Sequence, residues 1–251
     1  MLNNTQKSFI NHLCNFLPDR RPGKRGTKPI PKKILVEQLL IKIKFNLPWN
    51  AIKHSGTCRS YFKEIQRRGL FKKFFNLIVE ELKKNRLPET IVDSSDLVSY
   101  RTNGWVKYSG KYHNNCIKMT IETTGNLIPI NFWIDKGTTS DSAILENSII
   151  PRKNLPYKMY LDKGYEKYER RRRLKKKNCQ VVMEMKRAKR NKKKGPRFQC
   201  TEEQKKKRST IEKVFGWAKS FQGLVLNRMR LKSNISGMLA IVFSYYAFTR
   251  I

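Results

Sequence analysis

The chain has 251 residues, enough for one large domain or two smaller ones, and carries 55 Lys and Arg against 19 Asp and Glu, a formal net charge of +36. A compact protein with this charge repels itself unless a polyanion is near, so nucleic acid is the first partner to consider and an anionic membrane surface is the alternative. The 13 Phe, 10 Tyr and 4 Trp exclude a disordered tail protein, and no apolar run approaches the roughly 20 residues that span a bilayer.

The cysteines give no sign of disulfides or of a zinc site. There are five, an odd number, scattered along the chain without a C-x-x-C pair and without histidines at zinc-ligand spacing. We therefore expect reduced thiols, as in a reducing compartment. The first residues, MLNNTQKSF, do not form a signal peptide, so we expect a soluble, cytoplasmic protein with no membrane association.

The first third of the chain is predicted to be basic and helical. Residues 1–31 are expected to form a basic N-terminal arm, which runs into the Pro/Gly/Lys-rich stretch RRPGKRGTKPIPKK (20–33). A helical DNA-binding region is expected over 32–87. Its first helix covers the apolar positions between 34 and 45 and ends at the sequence NLPW.

The next part of this region predicts two helices joined by a tight turn, and then a third. The turn is placed at Ser55-Gly56, with Thr57 as the N-cap of the second helix and Gly69 as its stop. A basic exposed face on the second helix is typical of a DNA-binding helix-turn-helix, although an ordinary three-helix bundle also fits. The candidate DNA-binding residues on this face are Arg59, Lys63 and Arg67.

From residue 88 the pattern changes to that of an α/β domain, expected over 88–251. ETIVDSSDLVSY predicts a strand, and NNCIKMTIETTGNLIPINFWID predicts two strands joined at Thr124-Gly125-Asn126. A helix (TSDSAILENSII), a short strand (PYKMYLDKGY), a helix (EKYERRRRLKKK) and a strand (CQVVMEM) follow, and two further helices lie in RSTIEKVFGWAK and ISGMLAIVFSYYAF. The fold class is therefore α/β, a mixed sheet flanked by helices, preceded by a small all-α, helix-turn-helix-like region.

A dense basic tract lies in the second half of this domain. Residues 163–208 contain 21 Lys and Arg against five acids, and a basic loop is expected at about 186–203. Aromatic residues are sparse there, which favours contacts to backbone phosphates over base stacking. The candidate phosphate-binding residues in the tract are Arg170, Arg171, Arg172, Lys192 and Lys193.

With so few acids in the chain, the position of each one is informative. Asp93 follows the apolar pair Ile91-Val92, and Asp162 follows the strand sequence YKMYL. Polar residues at the carboxyl ends of strands are common site residues in α/β sheets. Glu212 lies on a helix beside the core. Two such aspartates and one glutamate could converge on Mg²⁺ ions, which prefer carboxylate oxygens.

Each acid also has a simpler explanation. Aspartates at strand ends often cap turns, and this fits Asp96 and Asp135 as well, while Asp141 could cap its own helix. On one continuous helix Arg208, Glu212 and Lys219 share a narrow strip, so they could form a simple ladder of ion pairs. The residues alone leave both interpretations open.

Three motifs carry a resemblance to a known family. IVDSSDLVSY, YLDKGYE and RSTIEKVFGWAK resemble the three acidic motifs of the DDE transposases of bacterial and archaeal insertion sequences, in the branch named after insertion sequences four and five. The third motif, Tyr-x2-Arg-x3-Glu-x6-Lys, is matched by Arg208, Glu212 and Lys219, while Lys205 occupies the Tyr position. The resemblance extends over most of the chain, from about residue 22 to about residue 245.

The resemblance implies an RNase H-like core in which Asp93, Asp162 and Glu212 are catalytic and bind two Mg²⁺ ions, for which Mn²⁺ substitutes. Asp96 is the alternative first acid, and Asp93 is preferred because it directly follows the apolar strand residues. Arg208 and Lys219 would contact DNA at the element end.

The implied activity is metal-dependent cleavage at transposon ends and transfer of the 3′-hydroxyl into target DNA. The implied partner is double-stranded DNA, both terminal inverted repeats and target. A homodimer on DNA is expected, because two ends need two active sites, and the protein would be associated with the nucleoid. The alternatives are a catalytically inactive or domesticated basic DNA-binding protein, and a nuclease of the same fold that performs no strand transfer.

Overall fold

A computed structural model describes residues 3–19, 29–84, 86–99, 106–110, 113–165, 167–184, 199–225 and 231–250. Its centre is a sheet of six strands. The strands are β1 (Glu89–Val98), β2 (Lys107–Ser109), β3 (Asn114–Thr124), β4 (Pro129–Lys136), β5 (Lys158–Leu161) and β6 (Gln180–Val182).

The sheet is mixed, as predicted, and it changes strand direction at β1. β3 pairs antiparallel with β1 on one side, and also with β2 and β4, whereas β5 pairs parallel with β1 on the other side and β6 parallel with β5. β1 is therefore the central strand that joins the antiparallel and parallel halves. The short strand β2 was not predicted, because its three residues are exposed or half-buried and carry no apolar alternation.

The hairpin between β3 and β4 is confirmed. Its turn follows Thr124, whose backbone N–H donates to the carbonyl of Ile128 at 2.9 Å. The left-handed backbone conformation falls on Leu127, with φ 64°, and not on Gly125 or Asn126.

Helices cover both faces of the sheet. The α-helices among the described residues are α1 (Asn4–Phe16), α2 (Lys32–Phe45), α3 (Ser55–Arg67), α4 (Leu70–Ile78), α5 (Glu80–Lys84), α6 (Asp141–Ile144), α7 (Tyr168–Lys176), α8 (Glu202–Ser209), α9 (Ile211–Lys219), α10 (Gln222–Val225) and α11 (Lys232–Phe248). Single 3₁₀ turns lie at Trp49–Ala51 and Lys163–Tyr165, and α6 continues as a π-helical turn at Leu145–Ile149. Of the helices in this described part, none has both the length and the apolar character needed to cross a bilayer.

Part of the stretch predicted as a basic arm is helical. Helix α1 has a capping box between Asn3 and Gln6, and its residues Phe9, Ile10 and Leu13 are buried. Residues 20–28, the most basic part of the predicted arm, lie outside the described residues.

The predicted turn at Ser55-Gly56 is wrong, because both residues lie in the first turn of α3. The N-cap position belongs to His54, with φ 55°, and not to Thr57. The short helix expected before the turn is only one 3₁₀ turn, so the helix-turn-helix pattern is not formed at this place. Gly69 is confirmed as the stop, with φ 66° after the C-cap Arg68.

Two apolar clusters hold the sheet between the helices. The larger cluster lies on one face of the sheet. It contains Ile91 of β1 and residues of helices α1, α2, α3, α4, α9 and α11. The smaller one lies on the opposite face and contains Val92, Leu161 and Leu174. Adjacent strand residues point to opposite faces, which explains why Ile91 and Val92 belong to different clusters. The division into regions 32–87 and 88–251 stays a prediction.

The helix predicted from Arg208 to Lys219 is interrupted. Its apolar residues Ile211, Val214, Phe215 and Ala218 are buried as predicted, but α8 ends at Ser209 and α9 begins at Ile211. The hydroxyls of Ser209 and Thr210 donate to the carbonyls of Lys206 and Lys207 at 2.8 and 2.6 Å. Such local hydrogen bonds compete with the helical ones and bend a helix.

Candidate active site

The two predicted aspartates lie on neighbouring strands. In the parallel pairing of β1 with β5 the last matched residues are Val92 and Leu161, so Asp93 and Asp162 directly follow this pair. Asp93 is not at the end of its strand, because β1 continues to Val98 in its pairing with β3. The end of the parallel pairing, and not the end of β1, therefore brings the two carboxyl groups to one place.

One guanidinium contacts both aspartates. Arg208 Nη1 lies 3.7 Å from Asp93 Oδ2 and 3.5 Å from Asp162 Oδ1. The side chains of Asp93, Asp162 and Arg208 are 19%, 36% and 28% exposed, respectively. A single positive charge is thus shared by two partly buried carboxylates.

The environment of Asp93 disfavours its charged form. Burial, together with the nearby carboxylates of Asp162 and Asp141, raises the pKa of Asp93 to about 6. The backbone N–H of Ser94, which donates to Asp93 Oδ1 at 2.8 Å, and the guanidinium of Arg208 lower the pKa but do not offset burial. A carboxylate in this setting is stabilised by an added cation.

The sequence DKGY around Asp162 forms a compact turn beside the sheet. The N–H of Gly164 donates to Asp162 Oδ2 at 3.3 Å. A Cβ at Gly164 would lie only 2.8 Å from Asp141 Oδ2, so a side chain here would displace the Asp141 carboxylate. Tyr165 is buried, and its hydroxyl is 2.7 Å from Ser94 Oγ, which is 2.8 Å from Thr120 Oγ1. The turn is thereby joined to β1 next to Asp93.

Asp141 is a third acid near this place, for which the sequence offers a helix cap as the simpler explanation. The N-cap of α6 is Ser140, whose Oγ accepts from the N–H of Ala143 at 3.2 Å. The Asp141 carboxylate instead forms an ion pair with Lys118 at 3.0 Å, and the two side chains are 26% and 14% exposed. No sequence signal separates this role from capping, because an acid in the first turn suits the helix dipole in either case.

Glu212 does not join the aspartate pair. It is exposed in the first turn of α9 and forms no ion pair with another described residue. Within the described ranges, no three Asp, Glu, His or Cys side chains lie close enough to hold a metal ion together. The structure thus brings Asp93 and Asp162 together and leaves the third predicted acid outside.

Asp96, the alternative first acid, does not share Arg208 with Asp162. It pairs in register with Lys118 on β3, beyond the last residue of β1 that β5 reaches. Of Asp93 and Asp96, only Asp93 directly follows the segment of β1 that pairs with β5.

Lys219, predicted to bind DNA with Arg208, also contacts β1. Its Nζ donates to Ser95 Oγ at 2.7 Å. Ser95 and Asp93 are two residues apart on one strand and therefore lie on the same face of the sheet. Arg208 and Lys219 thus border the same edge of the candidate site, one from α8 and one from the end of α9.

Comparison with protein families identifies the domain that contains these residues. The family model described as "Transposase DDE domain" matches residues 84–248, which include β1, β5, α8 and α9. The chain belongs to this family. The match contains both aspartates, Arg208, Glu212 and Lys219. The assignment to one branch of insertion sequences stays a prediction.

The fold of this DDE transposase domain resembles that of a solved transposase. The cryo-EM structure of the piggyBac transposase synaptic complex with hairpin DNA aligns with a TM-score of 0.54 and 9% sequence identity, covering 97% of this chain and 72% of that chain. At this identity the similarity concerns the fold. No curated protein matches the chain.

A cavity of about 200 Å³ lies beside Asp162 in the transposase domain. Lys205, at the position of the family's Tyr, lines this cavity together with Arg208. Its Nζ pairs with Glu184 at 3.2 Å and Glu202 at 2.8 Å. The residue that replaces the Tyr therefore borders the site but is engaged with two carboxylates.

The remaining predicted DNA-binding residues fall into three groups. Arg59, Lys63 and Arg67 are exposed along α3, as expected for a basic face. Arg172 is also exposed. Lys192 and Lys193 lie outside the described residues.

Two arginines of α7 are engaged inside the protein instead. Arg170, with a side chain only 12% exposed, forms an ion pair with Glu146 at 2.9 Å, which Arg173 also contacts. Arg171 donates to the carbonyl of Met183. Arg170 is therefore poorly placed for DNA, because a contact with phosphate would break its ion pair with Glu146.

Proposed function

We propose that the protein is a DNA transposase that cleaves phosphodiester bonds at the ends of a mobile element and transfers the freed 3′-hydroxyl into target DNA. The observation that supports this most directly is the convergence of Asp93 and Asp162 on one cation, inside the segment that matches the transposase family. An acid pair at the edge of a strongly cationic protein suits chemistry on phosphodiesters.

The donor groups of this pair suit a hard divalent cation. Carboxylate oxygens are the preferred ligands of Mg²⁺ and Mn²⁺, and Asp93 and Asp162 would hold the ion. Glu212, which matches the acid of the third motif, is the proposed third ligand. When bound, such ions supply Lewis-acid stabilisation of charge on the phosphate oxygens and a more acidic bound water.

The chain's own residues bind and orient the DNA in this proposal. Arg208 and Lys219 border the acid pair and would hold phosphates on either side of the bond to be cut. The hydrogen bonds from Tyr165 through Ser94 to Thr120 fix β1 beside Asp93. Positioning of this kind supplies much of the rate enhancement in phosphoryl transfer, because the protein makes few covalent steps itself.

Double-stranded DNA is the proposed partner, both as terminal inverted repeats and as target. The net charge of +36 supports this, since a duplex carries one phosphate charge per about 1.7 Å of its axis. The similar solved structure is a synaptic complex of a transposase with hairpin DNA. Pairing of two ends requires two active sites, so we propose a homodimer on DNA.

A second function is favoured by two observations. Glu212 is exposed and away from the aspartate pair, and Lys205 replaces the Tyr of the third motif. Both would fit a family member that has lost cleavage and acts as a basic DNA-binding protein. The two functions differ in one property, metal-dependent cutting of DNA.

A strand-cleavage assay separates them. Labelled DNA that carries the sequences flanking the gene is incubated with Mg²⁺ or Mn²⁺ and with wild type, Asp162→Asn or Glu212→Gln. The transposase proposal expects cuts at the element ends that disappear in both variants while DNA binding is kept. Glu169→Gln, an exposed acid on α7, is the matched control and retains cleavage. Tight, salt-sensitive binding without cleavage by wild type would instead establish the DNA-binding protein.

A further inference from the structure

We propose that Arg208 is an internal counter-ion that competes with the divalent cation for Asp93 and Asp162. In the absence of the cation the guanidinium neutralises the two carboxylates, and it must leave before the cation can bind. This inference rests on the proposed metal site at the two aspartates. It adds a role for Arg208 that precedes any contact with DNA.

The guanidinium already contacts the two carboxylates that would hold the divalent cation. A single atom, Arg208 Nη1, is within 4 Å of one carboxylate oxygen from each aspartate, at 3.7 and 3.5 Å. A divalent cation bound by the same two carboxylates would have to lie between them at 2.0 to 2.6 Å from their oxygens, by general coordination geometry. The guanidinium and such an ion would therefore lie close together at the same two carboxylates, where they repel each other and compete for the same negative charge.

Arg208 lies at the end of α8, next to the break before α9. On a continuous helix, Arg208 and Glu212 are four residues apart and would form an ion pair. The hydroxyl hydrogen bonds of Ser209 and Thr210 interrupt the helix between them. Arg208 contacts the aspartates, and Glu212 is left exposed.

The contacts of Arg208 are suited to release. Strong charge-assisted hydrogen bonds of guanidinium to carboxylate are about 2.7–2.9 Å long, and both distances at Arg208 are longer. Its side chain is 28% exposed, so solvent and incoming phosphate can reach it. Once displaced, Arg208 is next to the site and free to hold a phosphate of the bound DNA.

The test measures Mn²⁺ binding without DNA, so that it does not depend on activity. Free Mn²⁺ is counted by electron paramagnetic resonance during a titration of wild type, Arg208→Gln, Arg208→Lys and Asp162→Asn. Removing the positive charge that competes for the two carboxylates raises the affinity for Mn²⁺ by about tenfold for Arg208→Gln. Arg208→Lys keeps the charge and stays within about twofold of wild type. Lys153→Gln, an exposed residue just before β5, controls for net charge and leaves the affinity unchanged.

Each outcome decides one question. Equal or weaker Mn²⁺ binding by Arg208→Gln, with circular dichroism and thermal unfolding like those of wild type, overturns the inference while the metal site stands. If Arg208→Gln does not fold, Arg208→Ala with the same titration replaces it. Undiminished Mn²⁺ binding by Asp162→Asn overturns the metal site itself and the inference with it.

Discussion

Tyr165, from the turn after β5, and Ser94, in the middle of β1, are joined by a hydrogen bond of 2.7 Å between their hydroxyl groups. Ser94 also contacts Thr120 on β3, so three segments meet under the candidate site. The phenol is fully buried, and burial raises its pKa well above the ordinary value. The Tyr165 hydroxyl is therefore neutral, and its hydrogen bond to Ser94 links the turn after β5 to β1, the two segments that carry the aspartates.

Replacement of Tyr165 by Phe removes this hydrogen bond and keeps the buried aromatic ring. We expect a loss of about 1 kcal/mol in the free energy of unfolding, the usual value for one hydrogen bond, measured by urea denaturation. Tyr168→Phe, on a side chain that is 70% exposed, is the matched control and leaves stability unchanged. Equal stability of Tyr165→Phe and wild type would mean that the hydroxyl bond contributes nothing.

Replacement of Asp93 by Asn is expected to stabilise the protein at neutral pH when EDTA is present. Because the pKa of Asp93 is raised to about 6 in the folded state, from 3.8, the folded protein binds more protons than the unfolded chain between these values. Ionisation of the Asp93 carboxyl therefore lowers the free energy of unfolding as pH rises from about 4 to about 6, and this decrease persists above pH 6. Asp93→Asn has no ionisable group there, so its free energy of unfolding at pH 7 should exceed that of wild type by up to about 3 kcal/mol.

Urea denaturation at pH 4 and pH 7 checks the sign of this effect. The difference between Asp93→Asn and wild type should be small at pH 4 and clearly in favour of the variant at pH 7. A difference that is the same at both pH values contradicts the raised pKa of Asp93.

Two glycines of the C-terminal part should respond to Ala in opposite directions. A Cβ at Gly223 in α10 would lie 2.6 Å from the backbone oxygen of Ile43 in α2. Because the backbone of one helix would have to move, Gly223→Ala should destabilise the protein by about 2 kcal/mol. Gly216 lies within α9 with no atom within 4 Å of an added Cβ, and Ala there should stabilise by about 0.5–1 kcal/mol. Thermal unfolding of the two variants gives the comparison directly.

Glu122 and Arg152 form a buried ion pair in which loss of one partner is costly. The Glu122 side chain is 1% exposed and accepts from both terminal nitrogens of Arg152, at 2.5 and 3.0 Å, and from Asn131. Arg152→Met should destabilise by about 3–5 kcal/mol, because an unpaired carboxylate stays buried. The double variant with Glu122→Met should recover most of this loss. If the single and the double variant are equally unstable, the loss of stability comes from packing and not from the unpaired charge of Glu122.

The basic face of α3 should contribute to DNA binding through phosphates. Replacing Arg59, Lys63 and Arg67 by Gln should weaken binding to all sequences equally and reduce the slope of log K against log salt by about one per residue removed. Fluorescence anisotropy on a labelled duplex at several salt concentrations measures this slope. Lys153→Gln, before the amino end of β5 and thus away from the aspartates, should leave it unchanged. An unchanged slope in the triple variant would mean that DNA binds to a surface other than the basic face of α3.

Much of the sheet could be predicted, because its strands are apolar runs bounded by turn residues. β1, the β3–β4 hairpin and β5 all lie where the sequence placed them. Helix α1 was missed although its signal was present, a capping box at Asn3 and Gln6 followed by apolar residues at helical spacing. The basic segment that follows, residues 20–33, is typical of an extended arm and obscures this helical signal.

The candidate site was predictable only in part. The positions of Asp93 and Asp162 follow from the order of the parallel strands, which the motifs indicate. The sequence pattern does not predict that Arg208 and Glu212 form no ion pair. The pattern is that of one continuous helix, whereas the helix is interrupted at Thr210, where the hydroxyls of Ser209 and Thr210 donate to backbone carbonyls. Asp141 and Lys118 meet across elements 23 residues apart in the chain, a contact that no local pattern encodes.

Helix α11 packs against α3, α4 and β4 and lies in the larger core cluster with residues of α1. The apolar faces of the first helices therefore have no complete partner until the ribosome has made residue 248. During synthesis these faces would be open to chaperones and to other chains, as is usual when contacts join distant parts of a sequence. A nascent chain interrupted before α11 would thus carry much of the basic charge and the first two acids, but no finished core to hold them.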